Sequence, residues 1–160
     1  MSIVLSSDEI FTLAMEIEKS GKAFYTAVAK RTDDPDMRDF FNFLAEEEDR
    51  HYAYFSRLEK EAPALEIGKE DWEEISEYIR ATTDSRFFIG EDRAVQQAKK
   101  ASGILEAVDT AIGFEKDTLL FFYELYQVTP AASKRAAGDI IDEEKRHIRM
   151  LSEKRKDLVG

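Results

Sequence analysis

The chain has two histidines, and both stand in the same acidic phrase: His51 in EEEDRHYAYF (residues 46–55) and His147 in DEEKRHIRML (residues 142–151). Each follows Glu-Glu-x-Arg. On a helix, residues three apart share a face, so Glu48 with His51, and Glu144 with His147, each offer a carboxylate and an imidazole side by side. That donor pair suits iron, manganese or zinc. A single Glu-x-x-His in an acidic helix is ordinarily a solvated charge run. Two copies gain meaning only if both lie in phase with the apolar stripes of their helices.

Four long helices are predicted. Residues 7–31 carry Phe11, Ala14, Gly21, Tyr25 and Val28 at helical spacing, with Ser6 as cap and Glu9 as its capping-box partner. TDDPDM ends that helix and starts the next at Pro35, with Asp34 as N-cap. The second helix runs to about Lys60 on a stripe of Met37, Phe41, Leu44, Phe55 and Leu58. The third is expected from near Ser102 to Val128, with Val108, Ala111, Phe122 and Leu125 inward. The fourth spans about Ala131 to Lys156, with Ala137, Ile141, Ile148 and Leu151 inward. Between the second and third helices lies a long connection. It holds a short helix in EDWEEISEYIRA, whose apolar side is Trp72, Ile75 and Ile79, then a loop in TTDSRFFIGED and a helical turn in RAVQQAKK. Short loops join antiparallel pairs, and the long connection can run back along them, so the prediction is an all-α four-helix bundle of two hairpins joined by a crossover.

The two hairpins also resemble each other. Phe11, Ala14, Glu18, Gly21, Tyr25 and Val28 align with Val108, Ala111, Glu115, Thr118, Phe122 and Leu125, and Glu47, Glu48, Arg50 and His51 with Glu143, Glu144, Arg146 and His147. The chain therefore reads as a single domain, 1–160, with an internal repeat of 7–60 and 102–156. In this register Glu18, Glu48, His51, Glu115, Glu144 and His147 all fall on buried faces near mid-length. Four ionised carboxylates cannot be buried bare, because each costs several kcal/mol or more without a partner. No lysine or arginine shares their stripes. Two divalent cations would balance them, with neutral imidazoles adding no charge. Glu47 and Glu143, four residues before the histidines, are alternative ligands. Their stripe is less apolar, which favours a solvated position or one behind the ligands.

The composition excludes several other readings. Net charge is -11, which argues against nucleic acid and suits the attraction of cations. The absence of cysteine removes disulfides, thiolate metal sites and a cysteine nucleophile. No apolar run reaches the length of a membrane span, and MSIVLSSDEI lacks the pattern of a signal peptide, so a cytoplasmic location is expected.

AMEIEKSGKAFY, LAEEEDRHYAYF, AIGFEKDTLLFF and IIDEEKRHIRML together resemble the ferritin-like superfamily and, within it, rubrerythrin-type di-iron domains, over nearly the whole chain. The resemblance implies a metal site made by Glu18, Glu48, His51, Glu115, Glu144 and His147, with Glu48 and Glu144 bridging two iron ions (Fe2+/Fe3+, with manganese or zinc as substitutes). It implies an oxidoreductase that reacts with O2 or H2O2, by rubrerythrin-like peroxide reduction or as a ferroxidase, and that draws electrons from an external donor. Tyr25, two turns from Glu18, is a candidate for a place behind the ligands. A homodimer is expected. Two features depart from typical rubrerythrins: the missing cysteine-ligated iron domain, and Thr118 where an extra carboxylate usually stands. The second brings the ligand set closer to the six-residue pattern of bacterial ferritins. The alternatives are iron storage or delivery, or a non-enzymatic metal-sensing or scaffold bundle.

Overall fold

The computed structural model describes residues 7–61, 90–129 and 131–160, together with 70, 71, 73, 74 and 77. Among these residues there are five helices and no strand: α1 (Ser7–Arg31), α2 (Pro35–Glu61), α3 (Glu91–Lys100), α4 (Ile104–Val128) and α5 (Ala131–Val159). The expected cap at Ser6, and the apolar side formed by Trp72, Ile75 and Ile79, lie outside the described residues. Glu70, Asp71, Glu73, Glu74 and Glu77 are helical and exposed.

The helix boundaries follow local chemistry. Asp34 caps α2: its Oδ1 accepts the Asp36 N–H at 2.9 Å, its carbonyl accepts the Arg38 N–H at 2.9 Å, and Pro35 fills the first helical position, where no N–H is needed. α4 begins at Ile104. Ser102 precedes it and donates both its N–H (2.9 Å) and its hydroxyl (2.5 Å) to Glu106 Oε2. RAVQQAKK is more than a single turn. It forms most of α3, which starts after Gly90, a residue with φ of 116° that an L side chain rarely adopts.

Side-chain pairs give the helix directions. Thr12 donates to Glu59 at 2.9 Å and Lys22 pairs with Asp49 at 2.7 Å, so α1 and α2 are antiparallel. Arg155 reaches Asp109 at 2.6 Å and Lys145 lies over the Tyr123 ring, so α4 and α5 are antiparallel as well. The hairpins meet through α1 with α4 and α2 with α5. Phe55 of α2 packs on Phe122 of α4 across the middle, with ring centroids 5.2 Å apart. α3 lies on the outside of α1 and runs parallel to it. The Gly90 N–H donates to Ser20 Oγ at 2.8 Å at one end, and Arg31 donates to the carbonyls of Ala98 and Ala101 at the other.

The predicted stripes are buried, with one exception: Ile148 is only half-buried. Phe11, Ile17, Phe24, Tyr25, Phe41, Leu44, Phe55, Phe114 and Leu151 are fully enclosed. Burying a side chain of this size is worth about 1.5–3 kcal/mol. That figure sets the scale for the charged residues enclosed among them. No helix is long and apolar enough to cross a membrane, among the described residues.

Candidate metal centre

Interrupting the apolar stripes at mid-height, Glu18 (α1), Glu48 and His51 (α2), Glu115 (α4), and Glu144 and His147 (α5) are all enclosed, none more than 2% exposed. The structure brings all six together in two overlapping groups. Glu18, Glu48, His51 and Glu144 form one, and Glu48, Glu115, Glu144 and His147 the other; within each, one donor atom per residue lies within 4.8 Å of the rest. Glu48 and Glu144 belong to both.

Both imidazoles turn Nδ1 inward. His51 Nδ1 is 2.8 Å from Glu144 Oε1 and 3.6 Å from Glu18 Oε2. His147 Nδ1 is 3.1 Å from Glu144 Oε2, 3.6 Å from Glu48 Oε1 and 3.7 Å from Glu115 Oε1. The two rings are nearly parallel, with centroids 5.8 Å apart. Their outer nitrogens face carboxylates of the opposite hairpin. His51 Nε2 lies 2.6 Å from Glu143 Oε2, and His147 Nε2 lies 3.7 Å from Glu47 Oε2. Arg50 ties these outer acids together, donating to Glu47 at 2.6 Å and to Glu143 at 2.8 Å. At His51 the hydrogen-bonded Glu143 favours a proton on Nε2, so that the neutral imidazole would offer its Nδ1 lone pair inward, whereas His147 Nε2 makes no hydrogen bond among the described residues and Glu47 only stands near it. Glu47 and Glu143 thus stand behind the histidines rather than among the inward donors. Spacing alone left their place open, because it depends on how one hairpin docks against the other.

Two further groups complete the pocket. Tyr25 donates its hydroxyl to Glu115 Oε1. Burial, reinforced by the charge of Glu115, holds the Tyr25 phenol well above its usual pKa of 10.0, so it keeps its proton. Gly21 faces Glu48: a Cβ at that position would sit 2.8 Å from Glu48 Oε2 and 3.0 Å from Phe114 Cε1. Only glycine lets the Glu48 carboxylate rest against the α1 backbone there. Thr118 is enclosed and its Oγ1 makes no hydrogen bond among the described residues.

The electrostatics are those of crowded acids. Burial pushes the Glu48 carboxyl well above 4.5, and the charges of Glu18, Glu144 and Glu115 add to this. Burial also raises Glu18, partly opposed by His51. Burial and Glu144 raise Glu115 to about 8. Burial would raise Glu144 too, but hydrogen bonding to His147 and His51 outweighs it and holds this carboxyl low. Burial would lower both imidazoles. Instead the Glu18 charge and the bonds to Glu143 and Glu144 raise His51 far above 6.5, and Glu115 with Glu144 raises His147 to about 10. Positive charge is what this cluster lacks, and protons or cations must supply it.

The donor set fits a pair of divalent cations. Both oxygens of Glu18, both of Glu48, and Glu115 Oε2 are enclosed without a hydrogen-bond donor among the described residues. An orphaned buried polar atom costs about 1–3 kcal/mol, and more when charged. No lysine or arginine is buried among the described residues. Oxygen lone pairs and two imidazole nitrogens converge where only positive charge would satisfy them.

The rubrerythrin family model matches residues 9–154 of the chain. Among solved structures, a protein of Thermotoga maritima described as ferritin-like and diiron-carboxylate is 21% identical, with a TM-score of 0.73 over 98% of each chain. At that identity the likeness establishes the fold: ferritin-like and all-α. No curated protein matches the chain.

Proposed function

The chain belongs to the rubrerythrin family, and from that premise we propose that it is a di-iron carboxylate oxidoreductase acting on O2 or H2O2, by peroxide reduction or as a ferroxidase. The observation that carries this reading is the pair of overlapping four-donor groups sharing Glu48 and Glu144. Glu18 and His51 would hold one ion and Glu115 and His147 the other, with Glu48 and Glu144 available to both. Four carboxylates then balance two divalent charges. When bound, the iron pair supplies two one-electron couples, enough to take peroxide to water with two protons.

The chain's own residues set the conditions. Glu143 orients the His51 imidazole through Nε2, and Glu47 places a negative charge 3.7 Å from His147 Nε2. Tyr25 keeps its proton, donates its hydroxyl to Glu115 Oε1 and fixes the rotamer of that carboxylate. The enclosed rings of Phe24, Phe41, Phe55 and Phe114 make the bundle interior around the site apolar. Thr118 offers no spare carboxylate, so the reading relies on a fixed six-residue shell rather than ligand exchange. The chain has no cysteine to ligate a relay iron, so electrons come from an external donor. The pairing of Glu18 with Glu115, Glu48 with Glu144 and His51 with His147 further supports one domain formed from a repeated hairpin. We place the protein in the cytoplasm as a homodimer.

Elemental analysis of protein made in iron-sufficient cells, paired with reoxidation of the reduced form, tests the proposal. Two irons per chain, and rapid return to the ferric state with peroxide or oxygen, are expected. Iron-loaded protein that stays ferrous in both oxidants would sink it.

A further inference from the structure

A groove of about 660 Å³ runs along the outside of α1, between α2 and α3. Its inner end is formed by Glu18 and Glu48, two carboxylates of the metal centre. Its outer end is formed by Lys30, Arg31 and Lys99. Because α3 runs parallel to α1, Lys99 stands beside Lys30 at that end. Glu18 and Lys30 are about 18 Å apart along the helix, at about 1.5 Å per residue. The middle is lined by Ala23, Ala27 and Val95, the Tyr52 ring stands with Lys19 beside Glu18, and the exposed surface is mainly apolar.

The charge is unevenly placed. The chain as a whole is strongly acidic, yet this groove gathers five lysines and arginines against four carboxylates, Glu18, Glu48, Asp49 and Glu91, and none of the four is at the outer end. Three are engaged: Lys22 with Asp49, Lys19 with Glu16 and the Tyr52 ring, and Arg31 with the carbonyls that end α3. Lys30 and Lys99 have no ion pair among the described residues, and both stand at the outer end. An apolar trough with two unpaired cations at one end and a metal centre at the other selects for a ligand with matching polarity. The volume falls within the range of small-molecule sites.

We propose that this groove binds an elongated organic anion, its acid group on Lys30 and Lys99, its apolar body over Ala23, Ala27 and Val95, and its far end at Glu18 and Glu48. The ligand class is an amphiphilic carboxylate, held by its head and presented tail-first to the centre. The inference rests on the reading of Glu18 and Glu48 as metal ligands.

Laurate is a suitable probe, with dodecyltrimethylammonium as the matched cation, and Mn2+-loaded protein as a redox-quiet, paramagnetic receptor. Calorimetry should show saturable laurate binding with little for the cation. The double variant Lys30→Glu/Lys99→Glu should weaken laurate about tenfold or more, as expected when partners of a bound charge are reversed. Ala27→Trp, which fills the trough, should abolish it. Both variants should keep full helicity and metal content. In proton spectra, Mn2+ should broaden the terminal methyl of bound laurate more than the methylene beside its carboxylate. Equal binding of the two amphiphiles, indifference to the charge reversal, or stronger broadening at the carboxylate end would overturn the proposal. A protein that loads two metal ions per chain but ignores laurate overturns the groove alone. One that binds laurate yet takes up no metal overturns the reading beneath it.

Discussion

At the scale of single residues, the centre depends on groups that touch no ion. Glu143 Oε2 lies 2.6 Å from His51 Nε2, so Glu143→Gln should lower metal affinity about 10–100-fold, the usual cost of losing a carboxylate behind a ligating imidazole. Glu47→Gln should cost less, since Glu47 is 3.7 Å from its histidine. Competition against a chromogenic chelator measures both; equal losses would contradict the distances. Tyr25→Phe leaves Glu115 Oε1 without its donor. It should destabilise the metal-free protein by about 1–3 kcal/mol in urea unfolding while metal stoichiometry stays the same. Gly21→Ala gains about 1 kcal/mol of helix propensity but places a methyl 2.8 Å from Glu48 Oε2. Metal affinity should therefore fall more than metal-free stability, a divergence that chelator competition and thermal melts separate.

At the scale of elements, the sequence showed most of what the structure contains. α1, α2, α4 and α5 were legible because long apolar stripes at helical spacing, a Pro35 start with its Asp34 cap, and few glycines leave little choice. The six candidate ligands were legible because each interrupts such a stripe. The rest was not, for a physical reason: spacing within a helix says nothing about what faces it from another. That Glu143 stands behind His51, and Glu47 behind His147, follows from the docking of α2 on α5. The attachment of α3 to α1 was hidden in the same way. It rests on Ser20 accepting the Gly90 N–H and on Arg31 donating to α3 carbonyls, polar links that leave no periodic trace. Arg31→Ala should release the last turn of α3, and amide exchange there should speed up while exchange in α2 and α5 does not. Uniform acceleration across all helices would show that α3 is integral to the bundle instead.

At the scale of the whole molecule, the enclosed acids link stability to pH. Glu115 is raised from 4.5 to about 8, so the folded state holds a proton that the unfolded chain has lost between these values. Its contribution to metal-free stability is complete below about 4.5 and is lost as pH rises through 8. Glu18 and Glu48 shift in the same direction. His147, raised from 6.5 to about 10, contributes stability below 6.5 that is lost on the way to 10. Glu144, held low, acts oppositely and weakens the fold only at acid pH below its ordinary 4.5. The metal-free melting temperature should therefore fall from pH 6 to 9. Metal binding displaces the same protons, so it should release acid at neutral pH and strengthen as pH rises. The gap between loaded and metal-free melting temperatures should widen over that interval; a constant gap would contradict the proton inventory of the centre.

The histidines tie the two halves together unequally. Glu143 of one hairpin steadies His51 of the other at 2.6 Å, while Glu47 stands 3.7 Å from His147. A hairpin expressed in isolation should bind ions loosely, and mixing the separated halves should restore tight uptake only as they dock. Metal retention would then serve as a gauge of assembly.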